Sequence, residues 1–215
     1  MNPPFSQDDF FRILIDYNTG IWPVQIILAG LAMVVLIVSI RSEEWTDRLV
    51  SAVLGVLWIW MGVAYHWIYF TEINPAAWVF GGAFAVEGLV FVYLALKREP
   101  LQYRPRWDGF GLIGATFIGY GLVLYPILSS AFGHTYPAQP TFGLPCPTTI
   151  FTVGVLLWAA PRIHPAILAI PVLWSLVGMN AAWLFGVVED FALPVAGILG
   201  GVLILLKNRR SITFT

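Results

Sequence analysis

The sequence is short of charge. Of its 215 residues, 11% are Asp, Glu, Lys or Arg while 59% are hydrophobic. Soluble domains carry roughly 25% charged residues, so too little polar surface remains here to cover a water-soluble globule. A polytopic membrane protein is the expectation, as one domain, because no stretch is polar enough for a soluble second one. Cysteine is nearly absent too: Cys146 stands alone, which excludes an intrachain disulfide. Basic patches are missing, and a net charge of −1 offers nothing to nucleic acid. The first residues, MNPPFSQDDFF, lack the basic stretch and apolar core of a cleaved signal, so the first span is expected to direct insertion.

What the chain has is apolar length. Seven runs, near 20–41, 47–70, 75–96, 109–131, 146–160, 165–187 and 191–206, predict an all-α bundle of seven transmembrane helices. Positive charge falls on alternate connections: Arg41 and Arg48, then Lys97, Arg98, Arg104 and Arg106, then Arg162, then Lys207, Arg209 and Arg210. The opposite connections, Thr71–Asn74, Ala131–Pro145 and Val188–Asp190, have no Lys or Arg. The positive-inside rule therefore puts the N-terminus outside and the C-terminus in the cytoplasm. Residues 1–19 precede the spans as an interfacial amphipathic segment. In it Ser6 and Asp9 form a capping box, and Phe10, Phe11, Leu14 and Tyr17 face the bilayer. The transmembrane domain is expected over 20–210, with 211–215 as a cytoplasmic tail. Trp22, Trp45, Trp67, Trp78, Trp107 and Trp183 fall near span ends, where interfacial belts sit. Gly111, Ala115 and Gly119, and Gly197 with Gly201, are stripes for close helix packing or a homo-oligomer seam.

One stretch stands out. From Gly133 the chain is a chargeless loop dense in proline and aromatics. At Cys146-Pro147 it becomes an apolar run of about 14 residues that stops at Pro161, short against the roughly 20 that span a bilayer. An outward-facing cavity is expected beneath residues 132–147, walled by spans two, three, five and six.

An internal likeness runs through the chain. Val56-Leu57-Trp58, Gly62, Trp67, Ile68 and Tyr69 match Val172-Leu173-Trp174, Gly178, Trp183, Leu184 and Phe185 at an offset of 116. Pro23-Val24-Gln25-Ile26 with Gly30 answers Pro147-Thr148-Thr149-Ile150 with Gly154. A parallel three-plus-one-plus-three repeat would follow, and its topology resembles that of the SWEET sugar transporters. Span two lacks the expected proline, and no asparagine pair for substrate is present. A further resemblance covers nearly the whole chain. IWPVQ at 21–25, INPAA at 73–77 and YPAQPTFGLPCPTTIFT at 136–152 look like signatures of an uncharacterised family of bacterial polytopic membrane proteins, a domain of unknown function numbered 6064. That resemblance implies a bacterial inner-membrane protein and carries no activity.

Ionisable groups inside spans are expensive and are the default functional candidates. Glu87 lies near the middle of span three with no base close in sequence. It reads as a carboxylate for proton coupling or substrate, or as a neutral acid bonded to a neighbouring helix. His66, Glu72, His134, Asn180 and Gln25 lie toward the uncharged side and complete the candidate substrate- and proton-binding set. His66, His134 and Cys146 could hold zinc or copper, but no HxxxH or CxxC spacing is present and no cofactor is predicted. Cys146 at a helix start beside His134 could also make a nucleophile pair. Asn74-Pro75-Ala76 resembles the aquaporin box, yet a single copy opening a full-length span reads as an N-cap. The expected function is carriage of a small molecule or ion. A Cys/His or metal-dependent intramembrane enzyme and a non-catalytic accessory subunit are the alternatives.

Overall fold

In the computed structural model, residues 5–41 and 43–210 are described; residues 1–4 of the N-terminal segment and the tail 211–215 lie outside them. The chain is mostly helical. Helix α1 is Gln7–Gly20, α2 Val24–Val38, α3 Glu44–Glu72 and α4 Ala77–Leu96. Helix α5 is Gly109–Ala131, α6 Pro145–Trp158, α7 Ala166–Phe185 and α8 Val188–Arg209. Two-residue strands β1, Gln102–Tyr103, and β2, Ala159–Ala160, pair antiparallel. Among the described residues, five helices (α3, α4, α5, α7 and α8) are long and apolar enough to cross a membrane. The count is six if α1 and α2, bent by 83° at their junction, make one span.

Helix α6 is the axis of the bundle. Its 14 residues rise only about 21 Å against a hydrocarbon core of roughly 30 Å. All of them except Cys146 are buried, as a helix that is apolar on every side requires. It packs most closely on α5, where Gly114 faces Gly154: a Cβ on Gly154 would come within 2.7 Å of the Gly114 carbonyl oxygen. The small-residue stripe of α5 is therefore the one through Gly114 and Gly121, which meets Pro147 and Gly154. It is not the expected one: Gly119 faces open space, Ala115 is exposed and Gly111 packs on Arg106. Both faces of an apolar span look alike in sequence, and the partner decides which is used. The other stripe does pack within the bundle, Gly197 on Ser175 and Gly201 on Val172 of α7.

The segments matched by the internal likeness are shaped differently. Helix α3 carries a π-helical stretch over Met61–Tyr69, whereas α7 runs from Ala166 to Phe185 as α-helix with Pro171 inside it. Helix α2 exposes Ile26, Ile27 and Ile37, while α6 exposes almost nothing. These shapes give the repeat no support.

The end of the bundle bearing the β-ribbon is closed by paired charges. Asp47, 2% exposed, accepts from both terminal nitrogens of Arg104, at 2.8 Å for one of them, and from the Tyr103 N–H at 2.9 Å. The Tyr103 hydroxyl meets Ser51 Oγ at 2.9 Å, and burial pushes its pKa up. Lys207 does not trail into solvent as its place in the sequence suggests. It is buried, and its Nζ donates to the carbonyls of Leu156, Leu157 and Ala159 at 3.1, 3.0 and 2.6 Å, capping the C-terminus of α6.

The opposite end carries α1 and the loop 132–144. The Ser6–Asp9 capping box forms as expected. Phe10, Ile13, Leu14 and Tyr17 are buried, but against protein: Phe10 stacks on Phe185 at 4.9 Å and Tyr17 packs edge-on to Tyr65 and Tyr69 at 5.5 Å. The apolar face expected to meet acyl chains is spent on the bundle. Of the six tryptophans expected at span ends, Trp22, Trp45, Trp78, Trp107 and Trp183 are exposed.

Candidate functional site

A cavity of about 260 Å³ opens at the loop end, over the N-terminus of α6. Its walls come from α3 (Tyr65), α4 (Phe80), α6 (Cys146) and α7 (Trp174, Asn180), the segments expected to enclose it, and also from α1 and α5. The local reasons are plain in each element. Pro145 and Pro147 start α6 abruptly, since their missing N–H groups are orphans there in any case. The left-handed Gly186 (φ 72°) ends α7 and turns the chain so that Asp190 reaches the floor of the cavity.

Asp190 is the polar centre of that floor. It is 2% exposed, and its Oδ1 accepts from the Tyr125 hydroxyl, while the Cys146 thiol is its second donor. Trp174 and Cys146 meet above Gly178, where an added Cβ would lie 3.4 Å from the indole nitrogen and 3.5 Å from the sulfur. Apart from that weak sulfur acceptor, Trp174 Nε1 has no hydrogen-bond partner. The remaining wall is apolar and largely aromatic: Phe5 and Phe10 flank Phe185 at 5.2 and 4.9 Å, and Phe80 meets Trp174 at 5.5 Å. Among the described residues the wall holds no Lys, Arg or His.

The residues expected from sequence to form the site are dispersed. Asn180 lies on the cavity's wall, exposed, with its amide bonded to the Val177 carbonyl at 2.8 Å. His66 stands behind that wall. It is fully buried, ringed by Phe84 at 4.7 Å and Trp174 at 5.1 Å, and neither ring nitrogen has a partner. Glu87 lies on the Phe84–Phe91 stripe of α4, 1% exposed; its Oε1 has no partner and it does not line the cavity. Glu72 is exposed and pairs with Arg12 at 3.6 Å, tying α1 to the end of α3. Gln25 is structural, donating at 2.6 Å to the Asn18 carbonyl across the α1–α2 bend.

His134 lies 3.5 Å from Glu189 and packs on Phe11, while the thiol of Cys146 turns to Asp190. The two members of the expected Cys–His pair thus have other partners. No group of three or more His, Cys, Asp or Glu that could hold a metal occurs among the described residues.

Asn18 was missed from the sequence, and Asp190 reads there only as one half of the acidic outer turn Glu189-Asp190. Asn18 reads as the tail of a short helix, yet it is the clamp of the roof. Its Nδ2 donates to the carbonyls of Pro137 and Gln139 at 2.7 and 2.8 Å, and its Oδ1 accepts from Thr141 at 2.8 Å. The only available signal was a fully polar residue on the buried face of an amphipathic helix, one position after Tyr17.

The chain belongs to a family of unknown function, DUF6064, whose profile matches residues 7–214. No curated protein and no solved structure matches it.

Proposed function

We propose that this is a multi-pass inner-membrane protein that takes a small molecule into the loop-end cavity from the outer side and carries it. The single observation behind this is the cavity itself. It is a concave, mostly apolar chamber with a few converging polar groups, just under the roughly 300 Å³ lower end of common ligand pockets. All seven expected apolar segments are helical, and the exposed tryptophans at both ends match two interfacial belts. With α2 and the short α6 counted beside the five long helices, the positive-inside rule places the chamber outside and the β-ribbon in the cytoplasm. Helix α6 need not meet lipid, which is why 14 residues suffice. Glu87 has no part in binding in this reading, because the chamber wall excludes it.

The test is binding and uptake of a neutral probe, 2-naphthylmethanol, by purified protein. Thermal stabilisation that rises with probe concentration is expected, as for any ligand held only by the folded state. Asn180→Trp, which narrows the wall from an exposed position, should remove it. Uptake of labelled probe into proteoliposomes, lost in the same variant, is the further expectation. Absence of stabilisation at millimolar probe would sink the reading, and binding without uptake would leave a receptor or accessory subunit.

A further inference from the structure

We infer that the chamber is selective for small organic cations, amines above all, with Asp190 as the counter-charge and the surrounding rings as the cage. This deepens the proposed function and rests on it.

The first ground is electrostatic. A carboxyl group taken out of water is costly unless it is hydrogen-bonded and its charge is compensated. Asp190 has two donors, the Tyr125 hydroxyl and the Cys146 thiol, and among the described residues no cation. The described residues of the loop end supply none: Arg12 is engaged by Asp9, Asp16 and Glu72, and His134 stands against Glu189. The N-terminus of α6 favours negative charge at this place, which keeps the acid tolerable without a basic side chain. An ammonium group entering the chamber would supply what the protein omits. Asp8, Asp9, Asp16, Glu72, Glu189 and Asp190 gather at this end against one arginine, so the approach is attractive to cations as well.

The second ground is the wall. Faces of Tyr, Phe and Trp rings attract a cation within about 6 Å of their centroids, most strongly where the contact is desolvated. Trp174, Tyr65 and Tyr125 line the chamber beside the floor that holds Asp190. The third is Trp174 Nε1, a buried donor on a ring that lines the chamber, without an oxygen or nitrogen acceptor. Structural polar groups are normally satisfied, and an unsatisfied one lining a cavity marks a place for an occupant. The chamber is too small for a lipid and sized for one or two rings with a short polar arm.

The experiment compares two probes of one shape, 2-naphthylmethylamine, charged at pH 7, and neutral 2-naphthylmethanol. Both are titrated calorimetrically into purified full-length protein, with empty micelles as reference. The amine is expected to bind at least tenfold more tightly than the alcohol. Asp190→Asn should bring that ratio close to one. Tyr125→Phe keeps the carboxylate and removes a competing hydrogen bond, so the ratio should stay at ten or above. Equal binding of the two probes by the wild type, or a preference that survives Asp190→Asn, overturns the inference and leaves the chamber as an apolar site. Binding of neither probe overturns the chamber reading itself, and this inference with it.

Discussion

The two ends of α6 solve the same electrostatic problem in opposite ways. A buried helix leaves carbonyls unpaired at its C-terminus and N–H groups at its N-terminus, with partial charges to match. At the ribbon end the answer is complete: the Lys207 ammonium takes three carbonyls, and Asp47, Arg104, Arg106 and Asp108 all have charged partners. At the loop end the complementary acid is Asp190, but it faces an open chamber beside an indole N–H whose one acceptor is the weak Cys146 sulfur. One end is saturated and serves stability. The other keeps a buried indole nitrogen without an oxygen or nitrogen acceptor beside its chamber.

The sharpest way to break that contrast is Lys207→Met, which keeps the apolar stem and strands three carbonyls. Hydrogen bonds to charged groups contribute about 1.5–3 kcal/mol each and are not additive, so a loss of about 3 kcal/mol is expected. For a chain of this size that lowers the melting temperature by roughly 6–12 °C. A drop under 2 °C would mean that the ribbon end is no better closed than the other.

Asn18→Ala comes next, at about 2 kcal/mol for the lost loop contacts, or roughly 4–8 °C. Because Asn18 holds the roof, this variant should also speed proteolysis within residues 132–144 and weaken the naphthyl probe, effects that Lys207→Met should not share. Equal proteolysis of the two variants would show that the ends are not independent.

The smallest effect is expected from Asp108→Asn at the ribbon end. The hydrogen bond from Arg106 holds the Asp108 carboxyl below the usual carboxylate range, and its other oxygen caps the Gly111 N–H. Asparagine keeps the cap and loses the charge, at a half-exposed site, so the cost stays below about 1 kcal/mol. A carboxyl with a lowered folded pKa stabilises above its unfolded value, near 4, and loses that contribution as pH falls through the folded one. The gap between wild type and variant should therefore be full at neutral pH and close below about pH 4, as read by melting temperature. A gap that widens in acid would contradict the Arg106 contact.

Much of the frame was legible. Long apolar runs with few charges specify helices whatever they touch, because unpaired backbone in an apolar medium is too costly. The Ser6–Asp9 cap and the brevity of α6 follow from residues adjacent in sequence. The contacts that define the site do not. Lys207 reaches carbonyls about 50 positions away, Asn18 clamps a loop more than 100 positions away, and Asp190 meets Tyr125 across 65. Nothing local distinguishes Lys207 from a solvated cytoplasmic base, or Asp190 from Glu189 beside it. Glu87 and His66 drew notice because they are polar within apolar spans, a rule that flags cost and not location. The structure places both in packed surroundings outside the chamber lining, His66 directly behind its wall.

By itself, then, the sequence determined that the chain folds into apolar helices, where most of them begin and end, and that one is too short to stand alone against a bilayer. Helix formation is decided within a few residues by backbone hydrogen bonding, so it can be read locally. Only the tertiary structure decided that α6 is wrapped on every side, that Gly114 and not Ala115 faces it, and that Asp190 is the acid turned into the chamber. Those outcomes depend on which of several equally apolar faces meet. That is settled by shape complementarity between segments far apart in the chain, a property no single segment carries.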